Sequence, residues 1–257
     1  MDIELVKRTA IAAAYKAGEL ICSFLGHADI RKKGDIDLVT QADTGSEKII
    51  IDAIRARFPD HAILAEESGQ NIGNADFCWI IDPLDGTTNF AHQLPLFAVS
   101  IGFSYKGKIA AGVVFNPVSG ELFTATQGNG AQLNGRPIRV SETEKMSDSL
   151  LVSGFPYNFK EIFDPLMTRF STCMKAAQAV RRLGSASLDL CYVACGRFEG
   201  FWEQNLKPWD TAAGLLIAQE AGATVTDFSG NPYTTDQKEI LATNGKIHNN
   251  MLALLKL

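Results

Sequence analysis

Apolar residues recur at helical spacing at the start of the chain. Ile3, Val6, Ala10, Ala13, Ala17, Leu20 and Phe24 predict one amphipathic helix, stopped by Gly26. Thr44-x-x-Glu47 reads as a capping box ahead of a second helix carrying Ile50, Ile54 and Phe58 and ended by Pro59. The period then changes. Residues 62–65 form a short apolar run, and 77–81 a continuous one that meets Asp82 at once. Residues 97–105 and 108–115 flank Lys106-Gly107, the signal of a hairpin, and 121–126 predicts a further strand. Segment 128–139 is turn-rich, and the polar segment 143–148 separates two halves. A strand restarts at 150–153. Helices follow over 164–180, 187–195 and 211–221, short strands over 198–202, 224–227 and 240–242, and a closing helix over 246–257. Helices and strands alternate in blocks with hairpins among them, which predicts layered α+β structure rather than a βαβ array. No repeat, low-complexity segment or Pro/Ser-rich linker interrupts the chain. One domain over 1–257 is therefore expected, with approximate halves 1–145 and 146–257.

Composition narrows the class. With 46% apolar and 21% charged residues over 257 positions, the chain can bury a full core without disulfide or metal staples. Twenty-four basic against 29 acidic residues give a net charge of −5, which argues against direct nucleic-acid binding. The five cysteines (Cys22, Cys78, Cys173, Cys191, Cys195) are odd in number and form no CxxC pair. They read as reduced thiols in a cytoplasmic setting, and no histidine sits at zinc-ligand spacing. The first ten residues are charged throughout, unlike a signal peptide, and no apolar run approaches the ~18 residues of a membrane helix.

The informative stretch is Ile80-Ile81-Asp82-Pro83-Leu84-Asp85-Gly86-Thr87-Thr88-Asn89. A buried strand delivers Asp82, and Pro83 is expected to stop its ladder for want of an N–H. Asp85 follows after a turn, so two carboxylates converge on one hard cation. Gly86-Thr87-Thr88 then offers backbone N–H groups to an anion. A plainer reading of the same residues is an Asp-Pro turn with a helix cap. Glu66-Glu67-Ser68, Trp209-Asp210 and Asp37-Leu38-Val39-Thr40 with Asp43 each carry acids at an element end. Each also has a bland reading: a solvated acidic loop, an N-cap of the helix near Thr211, and a local cap or turn. Together, carboxylates without His or Cys partners select a hard, oxygen-loving ion such as Mg²⁺, suited to transfer of a phosphoryl group to water. No GxxxxGK[ST] loop, GxGxxG turn or GxSxG elbow supports a kinase, dinucleotide or serine-hydrolase reading. Trp79 and Trp209 read as core anchors, and Arg181-Arg182 as either a solvated pair or a substrate contact.

Two long motifs then resemble those of the inositol monophosphatase family: residues 79–90, Trp-Ile-Ile-Asp-Pro-Leu-Asp-Gly-Thr-Thr-Asn-Phe, and 207–214, Lys-Pro-Trp-Asp-Thr-Ala-Ala-Gly. The likeness covers nearly the whole chain and extends to Glu66-Glu67-Ser68, to 37–40, to Arg182-Leu183-Gly184-Ser185-Ala186 with Leu188-Asp189-Leu190, and to Gly154-Phe155-Pro156 of the bacterial branch. The resemblance implies an alternating αβαβα sandwich, a homodimer, and a Mg²⁺-dependent, lithium-sensitive phosphomonoesterase acting on myo-inositol monophosphate. It implies one ion held by Glu66, Asp82, the Leu84 carbonyl and Thr87, a second among Asp82, Asp85 and Asp210, and a weaker third near Glu66. Mn²⁺ would substitute, while Ca²⁺ and Li⁺ would inhibit. Asp43 and Thr87 would orient or deprotonate the attacking water, with Glu66 counted among the catalytic groups. Gly86, Thr87 and Thr88 would hold phosphate; Gly184, Ser185, Ala186, Glu203 and Asp210 would form the inositol side. Hydrolysis would proceed by in-line attack of metal-activated water, without a phospho-enzyme.

Relatives of the same type cleave fructose 1,6-bisphosphate, histidinol phosphate or 3′-phosphoadenosine nucleotides, and bacterial members also act as partners of the transcription machinery. A second phosphate would need cations, and Lys160, Arg169, Arg181 and Arg182 are the candidates. The expected partner is thus a small phosphate ester, with no membrane and no direct nucleic-acid contact.

Overall fold

The computed structural model describes residues 2–32, 38–71 and 73–257. Its helices are α1 (Ile3–Phe24), α2 (Gln41–Arg55), α3 (Thr87–Ala91), α4 (Phe163–Ala176), α5 (Ala186–Ala194), α6 (Pro208–Glu220) and α7 (His248–Leu255). Its strands are β1 (Ile30–Lys32), β2 (Leu38–Thr40), β3 (His61–Ala65), β4 (Gly69–Asn71), β5 (Asn74–Asp85), β6 (Ala98–Tyr105), β7 (Lys108–Asn116), β8 (Glu121–Thr126), β9 (Ala131–Leu133) and β10 (Arg136–Ile138). Then follow β11 (Leu150–Ser153), β12 (Ala179–Arg181), β13 (Gly200–Gln204), β14 (Thr224–Thr226) and β15 (Glu239–Thr243).

Eight strands form one sheet in the order β10-β9-β8-β7-β6-β5-β3-β4, antiparallel except at β3/β5. Five form a second, β12-β11-β13-β15-β14, with β11 parallel to both its neighbours, and β1 pairs with β2 in a separate antiparallel ribbon. Helices α1 and α2 pack together, with α1 on β6 and β7 and α2 on β5. Helices α5 and α6 pack on each other between the two sheets, and α4 and α7 pair beyond the smaller one. The layers therefore alternate αβαβα, as expected. Three apolar clusters fill the interfaces. One, around Ile50, Trp79 and Phe103, lies under α1 and α2, and one around Leu190, Phe201 and Leu216 surrounds the middle helices. The third joins Trp202 and Leu241 to Cys173 and Met251 of the outer helices.

Several boundaries moved for identifiable reasons. The strand at 77–81 is longer, because β5 runs through Pro83 to Asp85 by shifting register against β6 between Asp82 and Asp85. Pro83 thus sits where the ladder is already interrupted, and it bends the strand instead of ending it. The helix over 164–180 stops at Ala176, and Ala179–Arg181 pairs with β11 as β12. The 211–221 helix begins at Pro208, with proline at a position that needs no N–H donor. Thr44-Glu47 does not cap α2. Helix α2 begins at Gln41, where the Thr40 hydroxyl accepts from the Ala42 N–H at 3.0 Å. Asp43 in turn accepts from the Thr40 N–H at 2.8 Å. The hairpin at Lys106-Gly107 is as read, with φ of 49° and 77° that match a primed turn.

Close approach fixes the separation between the large sheet and α6. A Cβ on Gly102 would lie 2.9 Å from Ala212 Cβ, and one on Gly112 would lie 2.7 Å from the Ala213 carbonyl oxygen. Bare backbone on β6 and β7 lets α6 lie directly on the sheet. Strands β3, β5, β11 and β13 all send their C-terminal ends toward one cavity bordered by the first turns of α3, α5 and α6.

Candidate active site

The cavity measures about 450 Å³. Its acidic wall is Glu66 after β3, Asp82 and Asp85 on β5, Glu203 on β13 and Asp210 in the first turn of α6. Gly86, Thr87 and Thr88 line it beside them, and Gly184, Ser185 and Ala186 complete the opposite side. Of the site residues that the family resemblance implies, Asp43 alone does not line the cavity and stands behind it, reaching it through Thr87. Asp37 lies outside the described residues.

Asp85 is the most constrained carboxylate. Its Oδ2 accepts from the Ser185 hydroxyl at 2.7 Å, the Ser187 N–H at 2.8 Å and the Ser187 hydroxyl at 2.5 Å. These bonds tie β5 to the first turn of α5, a hundred residues on. Asp82 turns Oδ1 back to the Leu84 N–H at 3.0 Å, which fixes the bend around Pro83. Asp210 accepts from the Lys207 N–H at 2.7 Å, so it caps the helix as an interior first-turn residue, not as the N-cap. The Thr87 hydroxyl lies 3.0 Å from Asp43 Oδ1 and 3.1 Å from the Leu84 carbonyl, so its proton has two acceptors.

Gly86 has φ +98°, a left-handed conformation that an L side chain resists. A Cβ there would also meet the Leu96 carbonyl at 2.9 Å. Asn89 holds the same loop from the other side. Its Nδ2 donates to the Leu96 carbonyl at 2.7 Å and the Leu183 carbonyl at 2.8 Å, joining the Gly86 loop to the wall that carries Gly184.

Burial and mutual repulsion push these acids out of the ordinary carboxylate range. Asp82 is raised well above it, by burial first and then by Glu66, Asp85 and Asp210. Asp85 is raised by burial against the pull of its Ser187 and Ser185 bonds. Glu203 is lifted to about 8 by burial and by Asp210, with Arg182 opposing. Asp210 is lifted to about 8 by its packing and by Asp85 and Glu66, against its bond to Lys207. Asp43 is raised by burial, against bonds from Thr40 and Thr87. Such a concentration of carboxylates calls for a compensating cation. The cations on the wall are Arg182 and Lys207.

The donor set suits a hard divalent ion. It is all oxygen, from carboxylates, the Leu84 carbonyl and the Thr87 hydroxyl, with no His or Cys on the cavity wall. Among the described residues no three His, Cys, Asp or Glu side chains are closed into a finished metal cage. Mg²⁺ does not require one, since it retains waters and shares its shell with substrate phosphate.

The structure divides the candidate cations. Arg182 lines the cavity, its guanidinium 5.9 Å from the Phe155 ring centre. Arg181 points outward and bonds the Val180 carbonyl. Arg169 is taken up by the Leu255 carbonyl, Gln204 and the Phe228 ring, and Lys160 does not line the cavity. Trp79 is a core residue, whereas Trp209 lies on the cavity wall, not in the core. Sequence reasoning missed Lys207 as a cavity cation, Ser187 as a partner of Asp85, and Phe155, Tyr157 and Phe159 at the mouth. Ser187 followed by Leu-Asp-Leu carries no local signal beyond a helix start.

An acid-lined cavity between layered sheets, beside a glycine turn, suits transfer of a phosphoryl group. The chain belongs to the inositol monophosphatase family: that family's model matches residues 2–256. It is a phosphatase of this family. It is 49% identical to an inositol-1-monophosphatase of Synechocystis over 96% of this chain and 87% of that protein. It is 44% identical to the Nus factor SuhB of Pseudomonas aeruginosa over 96% of this chain and 94% of that protein. Among solved structures, an inositol monophosphatase from Anabaena superposes with TM-score 0.90 at 44% identity, covering 99% of this chain and 96% of that one. No described helix is long and apolar enough to cross a membrane.

Proposed function

We propose that the protein hydrolyses a myo-inositol monophosphate in a Mg²⁺-dependent reaction. The observation that carries this is the convergence of Glu66, Asp82, Asp85 and Asp210 beside the Gly86–Thr88 turn. Glu66, Asp82, the Leu84 carbonyl and Thr87 would hold one ion, and Asp82, Asp85 and Asp210 a second. When bound, Mg²⁺ offsets the phosphate charge and lowers the pKa of water. The Gly86 and Thr87 N–H groups hold phosphate oxygens. Thr87 takes a proton from the attacking water as it passes its own hydroxyl proton to Asp43. The buried, upshifted carboxyl of Asp43 suits that role. Water oxygen attacks phosphorus in line, the P–O ester bond breaks, and the leaving alkoxide takes a proton from solvent. Glu203 accepts hydrogen bonds from ring hydroxyls opposite the phosphate.

Arg182 and Lys207 against five acids favour one phosphate over two, which weighs against a bisphosphate as main substrate. The relative named a Nus factor supports a second reading, a role with the transcription machinery.

Phosphate release from inositol 1-phosphate, fructose 1,6-bisphosphate, histidinol phosphate and 3′-phosphoadenosine 5′-phosphate tests the first reading. Preference for inositol 1-phosphate, abolished by EDTA and depressed by Li⁺, is expected. Asp85→Asn should lower kcat by about 10²–10³, and near-normal turnover at saturating Mg²⁺ would refute the role given to Asp85. A Nus-factor role should survive that substitution.

A further inference from the structure

One polar face of α2 reaches the site at three points. Asp43 meets Thr87. One turn on, the Ser46 hydroxyl donates to the Pro83 carbonyl at 2.7 Å, behind the Asp82–Asp85 bend. Beside it, Glu47 Oε2 accepts from the Glu67 N–H at 2.8 Å and Oε1 from the Ser68 N–H at 3.0 Å. Positions 43, 46 and 47 are i, i+3 and i+4, so one helical face carries all three. Asp43 and Ser46 are fully buried and Glu47 nearly so, at 4% exposed.

Glu47 is the informative member. Its pattern with Thr44 imitates a capping box, yet its carboxylate spans 20 residues to hold two consecutive amides immediately after Glu66. Those amides would otherwise lie at a half-buried strand end with β3 finished. Two hydrogen bonds to one carboxylate fix both the position and the rotation of the Glu66–Ser68 turn, and hence where Glu66 leaves β3. Because the same helix anchors Thr87 and Pro83, the distance between the Glu66 side of the site and the Asp82–Thr87 side is set by a rigid element, not by the ions.

We propose that Glu47 is a positioning residue for the metal site, orienting Glu66 from α2 without touching ion or substrate. This rests on the metal-dependent reading above. A purely structural glutamate would stabilise the fold and leave the affinity of the folded protein for the ion unchanged. A positioning glutamate would act on that affinity.

The test is Mn²⁺ binding, by titration calorimetry and by electron paramagnetic resonance of free Mn²⁺, on EDTA-stripped wild type and Glu47→Gln. Gln keeps the size but turns an N–H₂ toward one of the two amides. Loss of an outer carboxylate of this kind typically costs 10–100-fold in metal affinity, so a weakening of about that size is expected. In turnover, the Mg²⁺ concentration for half-maximal rate should rise in parallel, while kcat at saturating Mg²⁺ stays within about threefold. Glu47→Asp keeps the charge with a shorter reach, and should weaken Mn²⁺ binding less than Glu47→Gln. It also serves as the probe if Glu47→Gln does not fold. Unchanged Mn²⁺ affinity in a folded variant, with only a lower melting temperature, overturns the proposal and leaves the functional reading standing. A wild type that binds no Mn²⁺ overturns both.

Discussion

Removing the divalent ion should make this protein less stable as the pH rises, the reverse of the usual behaviour of carboxylates. Glu203 is 7% exposed and its carboxyl is held up to about 8, by burial first and then by Asp210. In the unfolded chain the same group ionises near 4.5. Between those values the folded state binds a proton that the unfolded state has released, so unfolding free energy falls with pH by about 1.4 kcal/mol per unit for this group. From pH 6.5 to 8 the loss is roughly 1.5 kcal/mol, since the folded group has begun to ionise at the upper end. For a chain of this size, each kcal/mol shifts the melting temperature by roughly 2–4 °C. A fall of about 3–6 °C is therefore expected from Glu203 alone, and Asp210, also held up to about 8, adds to it in the same direction. His61 and His248 are both lowered by burial and act oppositely, gaining stability as pH rises, but only up to about 6.5. The chosen window lies above them. The assay is thermal unfolding of EDTA-treated protein at constant ionic strength, with and without saturating Mg²⁺. The Mg²⁺-induced rise in melting temperature should be larger at pH 8 than at 6.5, because binding requires the ionised acids. A flat or rising profile without metal would refute the claim that these carboxyls are held in their protonated form by the fold.

Two substitutions probe the loop at the cavity floor. Gly86→Ala combines φ +98° with a 2.9 Å approach to the Leu96 carbonyl. It should cost about 1–3 kcal/mol of stability in denaturant unfolding, and abolish turnover in protein that remains folded; wild-type unfolding would refute the strain. Asn89→Ala strips donors from the Leu96 and Leu183 carbonyls. It should cost about 1–3 kcal/mol and raise KM for the phosphate ester without changing Mn²⁺ affinity. An unaltered KM would show that the two loops hold their places without this side chain.

The most local chemistry was the easiest to read in the sequence. Asp82, Asp85 and Gly86 sit within five residues, and a strand–turn pattern already places them together. Asp210 was legible beside Pro208 and Trp209, though its bond to Lys207 shifted the helix start by three residues. Glu47 was misread because a Thr-x-x-Glu spacing is a local signal, whereas its partners lie 20 residues on. Ser185 and Ser187 needed the tertiary fold to meet Asp85. The β12 strand was hidden because apolar spacing from α4 continues past Ala176, and only pairing with β11 distinguishes strand from helix there. The fate of the basic residues was least legible: Arg181 ends β12 with its guanidinium on the Val180 carbonyl, whereas Arg182, the next residue and already past the strand, lines the cavity.

Gly102 and Gly112 give the site a gauge that lies outside it. Asp82 and Asp85 ride on the large sheet and Asp210 on α6, so the gap between these acids depends on how closely the helix packs on the sheet. On β5 and β6, Ile80 pairs with Gly102 and Asp82 with Ser100, so Asp82 lies two residues along the same strand pair from the glycine on which α6 rests. A single methyl inserted at Gly102 would act as a shim. It would lift the helix and widen the spacing between carboxylates without altering any acidic residue in the sequence. The tolerance of the chemistry is thus machined into two positions that carry no functional group at all.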